Sequence, residues 1–166
     1  MDATMDGTDR GSPLLAQWRR LSQLPGGARL FSLGIGRLVP YTGTVRPHVV
    51  ALGPGYARVR MADRRRVRNH LDSIHAIALT NLGEFSTGIA LLAGLPGDAR
   101  AILIGLDVAF TKKARGTLEA ECTVEAPVTA ERREVPCEAI VRDATGDVVA
   151  PITTRWLVGP KVHARG

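Results

Sequence analysis

Residues 74–97 read IHAIALTNLGEFSTGIALLAGLPG, and the spacing of their apolar side chains decides the fold. Ala78, Leu82, Phe85, Ile89 and Leu92 recur at intervals of four and three, which sets them on one face of a helix. Ile74, Ile77 and Leu79 widen that face, so the helix is expected to be largely buried. It is expected to begin near His75, with Asp72 or Ser73 as cap, and to end near Gly94, ahead of Pro96 and Gly97.

Around this helix the sequence alternates. Upstream, VRPHVVAL (45–52) and YARVRMA (56–62) flank the turn Gly53-Pro54-Gly55 and read as a hairpin. Arg58 and Arg60 fall on the face opposite Val59 and Met61, and Pro47 marks the first strand as an edge. Downstream, Ile102, Ile104, Leu106, Val108 and Phe110 alternate with smaller or polar residues. Leu118 to Val124 alternate with glutamates that require a solvated face, and strands are expected at 135–143 and 148–158. Near the N-terminus, Ser12 and Pro13 open a short helix over 13–24, whereas FSLGIGRLVPYTG, punctuated by Gly and Pro, reads as irregular connection. The order is helix, two strands, one long apolar helix, four strands. About six antiparallel strands around one buried helix require a sheet that curls round it, an α+β hot-dog fold.

The 166 residues suit a single domain, expected over 12–166 behind a mobile tail at 1–11. The opening MDATMDGTDRGSP is acidic and Gly/Ser-rich, and no run of 18 apolar residues occurs. Neither a signal peptide nor a membrane anchor is expected, and the expected compartment is cytoplasmic. Cys122 and Cys137 lack metal or redox spacing and read as buried thiols, a disulfide being the alternative; no metal site is readable. The net charge of +6 permits an anionic partner, a phosphate-bearing cofactor or nucleic acid. Nucleic acid comes last, because the 4% of aromatic residues do not interleave with the arginines.

The chemistry-bearing residues cluster where the long helix starts. Asn69 lies six residues before His75, and His75 nine before Glu84. A helix beginning near His75 presents free N–H groups that would polarise a carbonyl oxygen. Glu84, beside Phe85 in an apolar helix, is expected to have a raised pKa that suits a general base. It lies roughly two and a half turns beyond His75 and so faces away from it. Each residue also has an ordinary reading: Asn69 as a loop cap, His75 bound to backbone, Glu84 on an exposed face. His70 and Asp72 read as loop and cap.

The pattern N-x5-H-A-x7-E after a first hairpin resembles the signature region of hot-dog thioesterases of the phenylacetate-degradation type. The wider run from Pro40-Tyr41 through RNH and IHA to LGEFSTG is more similar to an uncharacterised thioesterase-like branch of that superfamily, over roughly 30–158. The resemblance implies acyl-CoA thioester hydrolysis, or hydrolysis of an acyl-carrier thioester, without metal or cofactor. It implies a homodimer or dimer of dimers with the site at the seam. On this reading Ala76, where relatives have Gly, offers its N–H to the thioester oxygen, His75 shapes the pocket and Asn69 holds the thioester or the water. Glu84 of the other subunit acts as base or nucleophile. Lys112, Lys113 and Arg115, or the Arg64–Arg66 cluster, would take the nucleotide phosphates. Where 4-hydroxybenzoyl-CoA-type relatives place a hydroxyl one turn after the Glu, this chain has Gly88, with Ser86 and Thr87 nearby; Thr87 is the candidate substrate contact. The other reading is a module that binds an acyl chain or acyl-CoA without turnover, with a hydratase as a third.

Overall fold

A computed structural model describes residues 11–161. Except for Gly11, the tail expected at 1–11 lies outside the described residues. Helix α1 (Pro13–Ser22) has Ser12 as its cap, with the Oγ accepting the Leu15 N–H at 3.4 Å. Its Trp18 packs edge-on against Phe31, the ring centroids 5.1 Å apart.

The stretch expected to be irregular is helical. It forms α2 (Gly27–Leu38) and α3 (Pro40–Val45). Phe31 and Ile35, one turn apart, are buried together with Ser32, a helical signal that the glycines obscured. The glycines serve close packing: a Cβ on Gly43 would lie 2.2 Å from the Gly36 carbonyl oxygen, so α2 and α3 touch through backbone. Pro40 opens α3 rather than breaking a helix, because its missing N–H would be unpaired there anyway.

The sheet runs β1 (His48–Gly53), β2 (Tyr56–Met61), β3 (Ala99–Val108), β4 (Leu118–Thr123), β5 (Arg133–Arg142) and β6 (Val148–Pro160). All neighbours are antiparallel, in the order β1-β2-β4-β5-β6-β3. The central helix α4 (Ala76–Gly94) packs on all six strands, least on the edge strands β1 and β3, so the sheet wraps it in the hot-dog fold. By length and apolarity α4 could cross a membrane, but most of that surface is already buried within the chain. Val59, Met61, Leu118, Ala120, Val141 and Ile152 line the concave face and exclude water completely or nearly so. Gly83 lets helix and sheet meet, since a Cβ there would lie 2.1 Å from Ile152 Cδ1.

On the convex face Arg60 pairs with Glu119 at 2.9 Å, and the Tyr56 hydroxyl donates to Glu121 at 2.7 Å, so the glutamates of β4 are solvated as expected. Cys122 and Cys137 are free thiols, and burial pushes them up to about 12 and about 11, far from reactive thiolates.

The two edges differ. β1 is an edge, as Pro47 indicated, and α2 packs beside it. At the other edge β3 pairs only with β6 among the described residues and bulges between Leu103 and Gly105. Its alternating residues Ile102, Ile104 and Leu106 are exposed, and so is Phe110 just beyond, whereas Ala99 is buried and Leu103 and Val108 pack against the core. Ile77, expected to widen the buried face of α4, is likewise exposed.

Candidate active site at the start of the central helix

The loop that delivers the chain into α4 is tied down at every turn. The Asn69 Oδ1 accepts from the Leu71 N–H at 2.9 Å, the Ser73 N–H at 3.3 Å and the Ser73 hydroxyl at 3.1 Å. Arg115 donates to the carbonyl oxygens of Asp72 and Leu71, and the His75 N–H donates to Val67 O at 2.7 Å. The Arg68 guanidinium and the Gly116 N–H both bond Asp63, holding its carboxyl below the usual range.

Neither Asp72 nor Ser73 caps the helix. Asp72 sits at φ +50° in the turn, and Ser73 is spent on Asn69. The cap is His75, whose Nδ1 accepts the Ile77 N–H at 3.1 Å. That bond fixes the ring tautomer, with the proton on Nε2. The His75 carbonyl accepts from Ala78 and Leu79. Ala76, the first helical residue, has an N–H that no helical carbonyl can reach, since the first turn lacks partners by geometry. The N–H of Ala76, the expected oxyanion donor, therefore has no partner among the described residues.

Two hollows flank this helix start. Ala76 and Asn69 line a cavity of about 350 Å³ with Leu79, Phe110, Lys112 and Lys113. His75 instead lines a groove of about 1080 Å³ floored by Val45, Val67, Ile77 and Ala78. The structure thus brings Asn69 and Ala76 together and turns His75 to the other side. With its carboxamide oxygen occupied, Asn69 can meet a ligand through Nδ2 alone.

Glu84 lies eight residues beyond Ala76, about 12 Å along the axis, so one subunit does not bring them together. Around the helix, Glu84 falls between the face that meets β6 and the face that meets α3. Gly83 and Thr87 mark the first, and Asn81, bonded to Thr42, marks the second. The Glu84 side chain is half-buried, and burial alone raises its carboxyl above the usual range. On the same side stand exposed Ile77 and, by its pairing with buried Thr154, Leu106 of β3.

The proposed substrate contacts fare unevenly. Thr87 is fully buried, donates to Glu84 O at 2.8 Å and accepts from the Trp156 indole at 3.3 Å, so it supports the helix–sheet packing. Lys112 is claimed by Asp143 and Asp147, each at 2.6 Å, and Arg115 by the loop. Only Lys112 of the three forms ion pairs among the described residues, and Lys113 is bonded neither to a carboxylate nor to the loop. The residues that sequence reasoning missed are Arg37 and Arg46, which line the larger groove with Arg64 and Arg66. Arg37 lies within the stretch misread as irregular and Arg46 three residues beyond it, and only its helical periodicity could have signalled them.

The family model for the domain of unknown function DUF4442 matches residues 27–158. The chain belongs to the DUF4442 family. Among solved structures, this DUF4442 chain is similar to a structural-genomics target at 27% identity and TM-score 0.76, covering 89% of this chain and 99% of that one. A Pseudomonas aeruginosa protein of unknown function, named a probable thioesterase, is 24% identical with TM-score 0.66, covering 83% and 97%. A thioesterase from Haemophilus influenzae is 12% identical with TM-score 0.68, covering 80% and 92%. These two likenesses place the DUF4442 domain in the same fold. No curated protein matches the chain.

Proposed function

We propose that the protein is an acyl-CoA thioesterase, acting as a homodimer in which each site combines the Ala76 N–H of one subunit with Glu84 of the other. The observation that carries this reading is Glu84 itself: a half-buried carboxyl with a raised pKa, on the helix whose start holds a free N–H. A carboxylate in that setting is costly unless it is paired, hydrated or at a subunit interface, and its raised pKa suits proton abstraction near neutrality. The thioesterases sharing the fold support the choice of reaction.

In the reaction, Glu84 takes a proton from water as the oxygen attacks the thioester carbonyl. The carbonyl oxygen gains the negative charge, which the Ala76 N–H and the start of α4 stabilise. The intermediate collapses, the C–S bond breaks, and the departing thiolate receives the proton from Glu84. Asn69 Nδ2 orients the water or the thioester, and His75 fixes the turn.

One observation favours the second reading, a module that binds an acyl thioester without turnover. Neither hydroxyl that follows Glu84 on α4 is free to donate to the water: Ser86 is bonded to Leu82 O at 2.7 Å, and Thr87 to Glu84 O, with Trp156 donating to it. The test is release of free thiol from a panel of acyl-CoAs, followed with a thiol reagent. Wild type is expected to turn over and Glu84→Gln to lose at least about 100-fold in kcat. Saturable binding of the same acyl-CoAs without thiol release would establish the module instead.

A further inference from the structure

Four arginines from three separate segments line the groove beside His75: Arg37 at the end of α2, Arg46 after α3, and Arg64 and Arg66 in the turn before α4. No Asp or Glu lines it, and none of the four forms an ion pair among the described residues. Arg60, Arg68 and Lys112, by contrast, each stand against carboxylates: Glu119, Asp63, and Asp143 with Asp147. Here the four share one groove with no carboxylate in its lining. Burial and the charges of Arg46 and Arg66 lower the pKa of Arg64, whose guanidinium donates to Val45 O at 2.6 Å and to Thr44 O at 3.3 Å. Those bonds fix Arg64 as the base of the cluster, while Arg37, Arg46 and Arg66 remain exposed.

Like charges gathered in a concave, partly apolar site focus the field and favour an anion of matching charge. One carboxylate supplies a single negative charge, whereas a phosphomonoester supplies about 1.5 to 2 and accepts forked guanidinium bonds. We infer that this groove is a phosphate subsite that takes the phosphorylated nucleotide end of the thioester's carrier. That assignment rests on the thioesterase reading, and it replaces Lys112 and Arg115, which the chain uses for itself. His75 forms the divide: the acyl thioester lies on the Ala76 side and the carrier passes over to the arginines.

The test separates the groove from the reaction. By calorimetry at low salt, 3′,5′-ADP is expected to bind wild type, and Arg37→Ala/Arg66→Ala to weaken it at least tenfold. Arg19→Ala/Arg20→Ala, an equal loss of charge on α1, is expected to bind as wild type does. No binding by wild type, equal binding by the groove variant, an equal loss in the α1 variant, or tighter binding of inorganic pyrophosphate than of 3′,5′-ADP overturns the inference. Kinetically, acyl-CoA is expected to show a KM at least tenfold below that of the matching acyl-pantetheine, which lacks the nucleotide. Equal KM values overturn the subsite and leave the hydrolase standing. Binding of 3′,5′-ADP through the groove with neither thioester cleaved leaves the subsite standing and overturns the hydrolase.

Discussion

On the proposed mechanism, Glu84 ties stability to function through one proton. Burial raises its pKa, so between the ordinary and the raised value the folded chain holds a proton that the unfolded chain has released. Stability from this group is therefore greatest below the ordinary Glu pKa, falls as pH rises through that window and stays lowered above it. Glu84→Gln removes the loss, so its melting temperature is expected to exceed that of wild type at pH 7.5 and to match it at pH 4. Thermal melts at the two pH values check this, and equal melting temperatures at pH 7.5 would mean a well-solvated carboxylate. In wild type the same group predicts an acid limb of kcat/KM with an apparent pKa above the ordinary Glu range. A residue that weakens the fold and strengthens the chemistry is a common feature of active sites.

At the scale of elements, the start of α4 offers an unusually clean substitution. Proline suits the first helical position, and His75 at φ −64° and ψ 140° has the extended backbone that a residue before proline requires. Ala76→Pro thus deletes the candidate oxyanion donor while leaving the helix intact. It is expected to keep a melting temperature close to that of wild type and to lose about 10²–10³ in kcat, as read from thiol release and thermal melts. A fully active Ala76→Pro would remove this N–H from the mechanism. The long helix, six strands and edge position of β1 were legible because burial writes periods of 3.6 and 2 into Ala78, Leu82 and Phe85 or into Leu118, Ala120 and Cys122. Helices α2 and α3 were not, because Gly36 and Gly43 look like turn signals until their backbone contact is seen. The candidate site was half legible. Asn69, Ala76 and Glu84 stand out along the chain, but that Asp143 and Asp147 neutralise Lys112 depends on tertiary contacts, and so does the gathering of Arg37, Arg46, Arg64 and Arg66 around one groove.

For the whole molecule the open feature is the β3 edge. Ten residues of strand with exposed Ile102, Ile104 and Leu106 would invite uncontrolled association if left bare. On the proposed reading, a second copy pairing there with two-fold symmetry would cover them and bring each Glu84 toward the partner's helix start. The account thus predicts complementation between two inactive variants. In a mixed dimer, the Glu84→Gln subunit contributes an intact Ala76 N–H and the Ala76→Pro subunit an intact Glu84, rebuilding one of the two sites. Denaturing the two proteins together in equal amounts and refolding them is expected to restore about a quarter of wild-type thiol release, since half the dimers are mixed and each has one working site. Activity no greater than the mean of the two variants refolded separately would contradict a site shared between subunits.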